Sequence, residues 1–301
     1  MVDGTTKTKK VGLFATANAA DSERIARGVE LFQQMTDMEV LPWQETPQGP
    51  RHFAGDDQIR AKSFNALLDE PCLEGLVAMR GGYGTTRVLA SIDFEKLYIK
   101  NCFVCGYSDI TSLLLAAWKF GCKRLIHGPM MHSSWGANLS EEIHLQEAVS
   151  FLEVLNGRPN LLPPWAGGNV LKTGTSTGPL IVMNLTLLTA LLGTPFFPDL
   201  AGTILALEDI SEPAHDIDRK LNQLHQAGIL KQIHGLLFGK FTDSEDGEFL
   251  PEIRREYGSL VNGPVVEELS LGHCHPSISL PFGAIVQLAA TADGLFELRR
   301  S

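Results

Sequence analysis

Within the first 120 residues a short apolar run is three times followed by a stretch with helical spacing: 11–16 then 22–35, 75–79 then 85–92, and 102–106 then 110–120. Apolar runs without polar alternation read as strands buried on both faces, and strands alternating with helices build a mostly parallel sheet covered by helices. The pattern predicts an α/β fold. It also predicts where chemistry would sit, because ligands on such sheets bind beyond the carboxyl ends of the strands. Two segments leave strands at that rim: the loop Arg80-Gly81-Gly82-Tyr83-Gly84 and the turn Gly106-Tyr107-Ser108-Asp109.

A helical stretch over about 140–156 closes this region, and the next twenty or so residues are dense in Gly, Pro, Ser and Thr. We therefore expect an N-terminal α/β domain over 1–157, a linker over 158–178 and a smaller, more β-rich C-terminal α/β domain over 179–301. In that second domain the spacing predicts a strand at 180–183, a helix at 185–192, a strand at 203–207 and a helix at 216–227. A hairpin joins 284–290 to 295–298 across Asp293-Gly294. A chain of 301 residues accommodates two such units.

Thirty-five acidic residues against 25 basic ones give a formal charge of -10, which disfavours a nucleic-acid ligand and favours a small polar substrate. The five cysteines are an odd number scattered through apolar surroundings, as expected of buried thiols in a reducing compartment, here the cytoplasm. Cys102 and Cys105 have C-x-x-C spacing, but in a strand residues three apart face opposite ways and no second pair completes a zinc site. The basic start at 7–10 imitates a secretory leader, yet the apolar part, 11–15, is short and runs into an amphipathic helix. No stretch approaches the 18 apolar residues that a membrane span needs.

Ser108 falls where a strand becomes a helix. A tight turn there exposes the hydroxyl while free N–H groups favour developing negative charge, which suits a nucleophile; the alternative is a serine that caps its helix. The G-x-S-x-G elbow is incomplete, since Asp109-Ile110 follow. The 80–84 loop offers N–H donors to an oxyanion or phosphate, or is an ordinary glycine-rich turn; it lacks the P-loop ending, and the first βα turn lacks G-x-G-x-x-G. Glu208, Asp209, Glu212, His215, Asp216 and Asp218 gather after a strand, fit either to hold a divalent metal or to orient a histidine. Helix punctuation accounts for Asp216 and Asp218 but not for Glu208. His273 and His275 share one face if their segment is extended, which makes a paired metal site conceivable, while Cys274 between them points away. Serine, acid and histidine in this chain order match one known triad arrangement, and spacing alone leaves the partners of Ser108 open.

The chain resembles the LD-carboxypeptidase family of serine peptidases, the muramoyltetrapeptide carboxypeptidases and their microcin C immunity relatives. The resemblance spans nearly the whole chain, through HFAGDDQIRAKSFNALL, RGGYGTTRVLASID, GYSDITSL, HGPM, NLTLLTALLGTPFFP, GTILALEDISEPAHDIDRKLNQL and GHCHPSISLPFGA in that order. It implies Ser108 as nucleophile, Glu208 as the acid that orients the histidine, and His273 as base, with an oxyanion hole at the backbone N–H groups of Gly82 and Asp109. Substrate contacts are expected at Gly81, Tyr83 and Asn184. The implied reaction is hydrolysis of an L,D-peptide bond with release of terminal D-alanine from murein tetrapeptide, by a cytoplasmic homodimer without metal or cofactor. Val182-Met183 stand where the family usually has two glycines, so the pocket is expected to differ there. The nearest rival is an immunity-type cleavage of an aminoacyl-nucleotide conjugate, for which Trp165 could stack on the base or else cover an apolar patch. A metallohydrolase centred on 208–218, or a binding module in which Ser108 only caps, are the alternatives from other classes.

Overall fold

The computed structural model describes residues 9–301. Lys7, the first basic residue of the leader-like start, lies outside them. Five parallel strands form the N-terminal sheet: β1 (Lys10–Phe14), β2 (Glu39–Val40), β3 (Leu73–Ala78), β4 (Phe103–Gly106) and β5 (Leu125–His127), in the order 2-1-3-4-5. The strands are apolar because helices cover both faces. Phe103 and Cys105 point into a core with Ile25, Phe32 and Phe151, whereas Cys102 and Val104 point into another with Phe64, Leu89 and Leu113. The two cysteines thus face opposite ways, as the strand period requires.

The second sheet has seven strands: β6 (Asn169–Lys172), β7 (Gly174–Asn184), β8 (Ile204–Ile210), β9 (Gly235–Thr242), β10 (Val265–Glu267), then, after one strand that belongs elsewhere, β12 (Ile285–Ala290) and β13 (Phe296–Arg300). Their order is 13-12-7-8-9-10-6, with β7 to β10 parallel and the rest antiparallel. The hairpin expected around Asp293-Gly294 is β12–β13, paired from Ala290↔Phe296 to Val286↔Arg300. The intervening strand, β11 (Leu280–Phe282), crosses back and pairs antiparallel with β5 of the first sheet, Leu280 opposite His127.

Two boundaries therefore differ from expectation. Residues 158–178 are not a free linker: β6 and the first half of β7 belong to the second sheet. The run Gly174-Thr175-Ser176-Thr177-Gly178 reads as loop by composition, yet it alternates half-buried and exposed positions against β12 and uses a backbone ladder that needs no apolar side chain. Second, the region 179–301 gives one strand to the N-terminal sheet. The helix Thr111–Lys119, which follows Ser108, is buried from Thr111 to Ala117 and lies where the cores of the two sheets merge, so the Leu-rich run is apolar all round. No helix among the described residues is long and apolar enough to cross a membrane.

Candidate active site

At the end of β4 the chain turns sharply. Tyr107 is extended, Ser108 takes φ 61°, and a 3-10 turn over Ser108–Ile110 leads into the helix Thr111–Lys119. A serine in the left-handed region is strained and persists only where its surroundings enforce it, a mark of residues whose side chain is presented for use. The capping alternative is not realised, because neither the 3-10 turn nor the helix has a side-chain cap. Thr111 and Ser112 do not cap it either: their hydroxyls donate back to the carbonyls of Ser108 and Asp109, each at 2.7 Å, and take up no N–H group of the turn.

The 80–84 loop leans directly on this turn. A Cβ on Gly81 would lie 2.9 Å from Ser108 Cβ and 3.1 Å from its Oγ, so only glycine permits the approach. Gly82 follows at φ 114°. The loop is pinned by Asp109, which is buried and accepts the Thr85 N–H at 2.8 Å; burial pushes its carboxyl above the usual range against the pull of Thr85 and of Arg60. Arg60, also buried, donates to the Gly84 carbonyl at 2.9 Å and lies 4.6 Å from the Phe53 ring centroid. The Asp109 N–H, in the first turn of a helical segment, has no preceding helical carbonyl to take it. A Cβ on Gly81 would also lie 3.5 Å from the Asp109 N, so this amide adjoins the glycine loop.

Glu208 lies two residues before the end of β8, where the pairing with β9 shifts register between Leu207 and Asp209, and is fully buried. Its Oε2 lies 2.6 Å from His273 Nδ1, while its Oε1 has no hydrogen-bond partner among the described residues. Burial raises the Glu208 carboxyl, countered by the imidazole and the nearby Asn184 amide. For His273, burial disfavours the charged ring, but the hydrogen bond and charge of Glu208 outweigh it and hold the imidazole above its ordinary value. Gly272 makes this contact possible: at φ 100° its missing side chain leaves room that the Glu208 carboxylate fills. No hydrogen bond joins Ser108 Oγ to His273 among the described residues. Tyr107, next to the serine, packs edge-on against the His273 ring at 5.1 Å between centroids and donates from its hydroxyl to Ser133 Oγ at 3.0 Å.

His275 does not share a face with His273. The segment bends rather than extends, and His275 Nδ1 pairs with Glu147 Oε1 at 2.7 Å, so the two imidazoles go to separate carboxylates. Glu147, from the helix Glu141–Leu155, is buried and also accepts the Ser277 N–H at 3.0 Å; nothing in the sequence marked it. The other acids of 208–218 disperse as well. Asp209 accepts from Asn184, from the Thr186 amide and from its hydroxyl, Glu212 pairs with Lys220, Asp216 with Arg219, and Asp218 with the Tyr257 hydroxyl. Among the described residues no three His, Cys, Asp or Glu side chains converge as a metal set.

Of the expected substrate contacts, Gly81 adjoins the serine and Tyr83, half exposed, packs on Phe53 at 5.4 Å between centroids. Asn184 is different. It is 3% exposed, donates to Asp209 at 2.8 Å and accepts the Leu187 N–H at 3.2 Å as the N-cap of the helix Leu185–Leu191, so it braces the acidic strand end rather than the opening. Trp165 sits partly buried against the C-terminal core.

Comparison with known proteins places this geometry in context. Residues 11–128 match the LD-carboxypeptidase N-terminal domain and residues 177–288 the LD-carboxypeptidase C-terminal domain. The chain is 30% identical to the murein tetrapeptide carboxypeptidase of Pseudomonas aeruginosa over 77% of its own length and 78% of that protein's. It is 29% identical to a probable murein peptide carboxypeptidase of Bacillus subtilis, over 92% and 88%. The crystal structure of a muramoyltetrapeptide carboxypeptidase from Oxalobacter formigenes superposes with a TM-score of 0.86 at 27% identity, covering 97% of this chain and 99% of that one.

Proposed function

The chain belongs to the LD-carboxypeptidase family, and from that premise we propose that it is a serine carboxypeptidase which hydrolyses an L,D-peptide bond and releases terminal D-alanine from murein tetrapeptide. Ser108 is the nucleophile, His273 the general base and Glu208 the group that holds the imidazole tautomer. The observation that carries the reading is the 2.6 Å bond from His273 Nδ1 to a carboxylate with no other partner, which leaves Nε2 as the proton acceptor, together with a strained serine one residue from the Tyr107 ring that packs on that imidazole.

His273 takes the Ser108 proton as Oγ attacks the carbonyl carbon, and the oxyanion is met by the Gly82 and Asp109 amides. The imidazolium then protonates the leaving amine of D-alanine, and an acyl-serine remains. Water attacks the ester with His273 again as base, which regenerates the hydroxyl and frees the tripeptide. The reading includes action in the cytoplasm, in peptidoglycan recycling, as a homodimer.

Mass spectrometry of products from a panel of L,D- and L,L-terminated peptides tests the reaction. Release of terminal D-alanine alone, with an acyl adduct trapped on Ser108, is the expected result. Cleavage confined to L,L ends, or activity without any adduct at Ser108, overturns it.

A further inference from the structure

A carboxypeptidase must tell a free C-terminus from a chain that continues. The carboxylate it reads lies one residue beyond the scissile carbonyl, about 4 Å of backbone away. If Gly82 and Asp109 take the oxyanion, as proposed above and on which this inference rests, the group that reads the carboxylate has to stand beside the 81–84 loop.

The sheet order 2-1-3-4-5 reverses between β1 and β3, and the crevice of such a sheet opens at that switch point, between the loops that follow these two strands. Arg80 is the last residue before Gly81 on the β3 side. Its Nη1 donates to the Ala19 carbonyl of the β1 loop at 3.2 Å, which carries the guanidinium across the crevice; its other donors have no acceptor among the described residues. Beside it, Asn18 of the same loop accepts the Tyr83 N–H at 3.3 Å and packs against Gly82, where a Cβ would meet the Asn18 side chain at 2.7 Å.

More positive charge surrounds Arg80. The His132 N–H donates to the Met79 carbonyl at 2.8 Å, which seats that turn against Arg80, and the helix Ser22–Thr36 brings Arg24 and Arg27, the latter donating to the Gly136 carbonyl at 3.1 Å. Burial first, then the charges of Arg80, Arg24 and Arg27, hold the His132 imidazole at about 4, with Asp21 alone opposing. Among the described residues none of the three arginines is in an ion pair. Arg87, Lys240 and Arg60, by contrast, are paired: Arg87 with Asp57 at 2.6 Å, Lys240 with Glu268 at 2.7 Å, and Arg60 with Asp57 and the Gly84 carbonyl. In a chain of formal charge -10, an unpaired cationic cluster at the switch-point crevice points to an anionic ligand.

We infer that Arg80 binds the terminal carboxylate of the substrate in the crevice between the β1 and β3 loops, with Arg24, Arg27 and His132 supplying the positive surroundings. A guanidinium suits the task because its planar fork grips a carboxylate through two parallel bonds and rejects a neutral amide.

The test compares wild type and Arg80→Gln on a tetrapeptide with a free terminal carboxylate and on the same peptide amidated at that end. Wild type should prefer the free acid. Arg80→Gln, with unchanged thermal midpoint, should lose about 30-fold or more in kcat/KM on the acid, chiefly through KM, and about threefold or less on the amide. Calorimetric titration of both peptides into Ser108→Ala, with and without Arg80→Gln, reads binding apart from chemistry. Acid and amide losing equally, or neither losing, overturns the inference while leaving the proposed reaction standing. Arg80-dependent binding of the acid by a protein that cleaves no L,D bond would instead sink the reaction and keep the carboxylate site.

Discussion

Replacing Glu208 by Gln changes one atom type in a fully buried place and leaves the packing intact. The wild-type carboxylate gives Oε2 to His273 Nδ1 at 2.6 Å, and its Oε1 has no other partner, so the imidazole and the carboxylate depend on each other. Glutamine keeps an oxygen that can accept from Nδ1, but with equal ease it presents its NH2, which selects the tautomer whose Nε2 carries a proton and cannot accept one from Ser108. It also removes the counter-charge for the imidazolium that forms during attack, in a site that water does not screen. The same exchange in other serine triads costs about 10⁴ in kcat, and we expect a loss of about 10³–10⁴, or roughly 4–5.5 kcal/mol of barrier. The pH profile separates this from a loss of fold. Glu208 holds the His273 imidazole above its ordinary 6.5, so wild-type activity should fall as pH drops through a value above 6.5, where the ring protonates and stops acting as a base. In Glu208→Gln the acid limb should move to lower pH. Linkage gives the opposite trend for stability: with the folded value raised, the His273–Glu208 contribution is full below pH 6.5 and is lost as pH rises through the folded value. A folded Glu208→Gln enzyme within tenfold of wild type, or one whose acid limb does not move, would refute the pairing.

Ser108→Ala should lower kcat by about 10⁶, as expected of a triad that acts as a unit, and abolish labelling by serine-directed acylating reagents; labelling that persists would point to another nucleophile. Gly272→Ala forces a methyl into the Glu208 carboxylate at a backbone φ of 100°, so it should cost about 1–3 kcal/mol in a urea titration and reduce kcat with it. Stability and turnover both untouched would contradict the packing argument. Glu147→Ala strands His275 and the Ser277 N–H, for an expected loss of about 1–3 kcal/mol of stability and a fall in kcat larger than any change in KM; an unchanged kcat in a destabilised protein would show the loop to be held by other means.

The N-terminal sheet was readable because β4 and the 75–78 part of β3 are covered on both faces and so print as apolar runs, with Ser108 at the point where the period changes. The start of β7 was not, because Thr175, Ser176 and Thr177 lie on an antiparallel pair whose ladder places no demand on side-chain polarity. β11 has three residues and its partner strand lies more than 150 positions earlier, so neither period nor turn chemistry announces it. Among site residues, Glu208 stood out as a carboxylate at a strand end that helix punctuation did not explain. Glu147 carried no signal at all: it is one glutamate of several on an amphipathic helix, and only the tertiary contact with His275, 128 residues on, gives it a partner. The expectation of a shared face for His273 and His275 failed for a local reason, since it assumed an extended chain where the backbone bends.

That bend bears on how the site works. The loop between β10 and β11 carries His273, and it is gripped from two sides: Glu208 of β8 holds His273, while on the helix Glu141–Leu155 Glu147 holds His275 and Ser277, and Ser150 accepts the Ser279 N–H at 2.9 Å just before β11 joins β5. Ser108 is held chiefly by β4 of the first sheet and by the 80–84 loop, with Thr111 in the following helix accepting the Asn184 N–H of the second sheet at 3.4 Å. The separation between Ser108 and His273, the proposed nucleophile and base, therefore depends on how the two sheets dock around the buried helix Thr111–Lys119, and a shift of one against the other would move His273 relative to Ser108 while its bond to Glu208 stays within the second sheet. Because a misplacement of about 1 Å can cost about 10²-fold in rate, the double grip does more than stabilise a loop. On the proposed mechanism it transmits the packing of a shared apolar core to the Ser108–His273 distance that proton transfer would need, and substitutions in that core far from the opening should register in kcat before they register in binding.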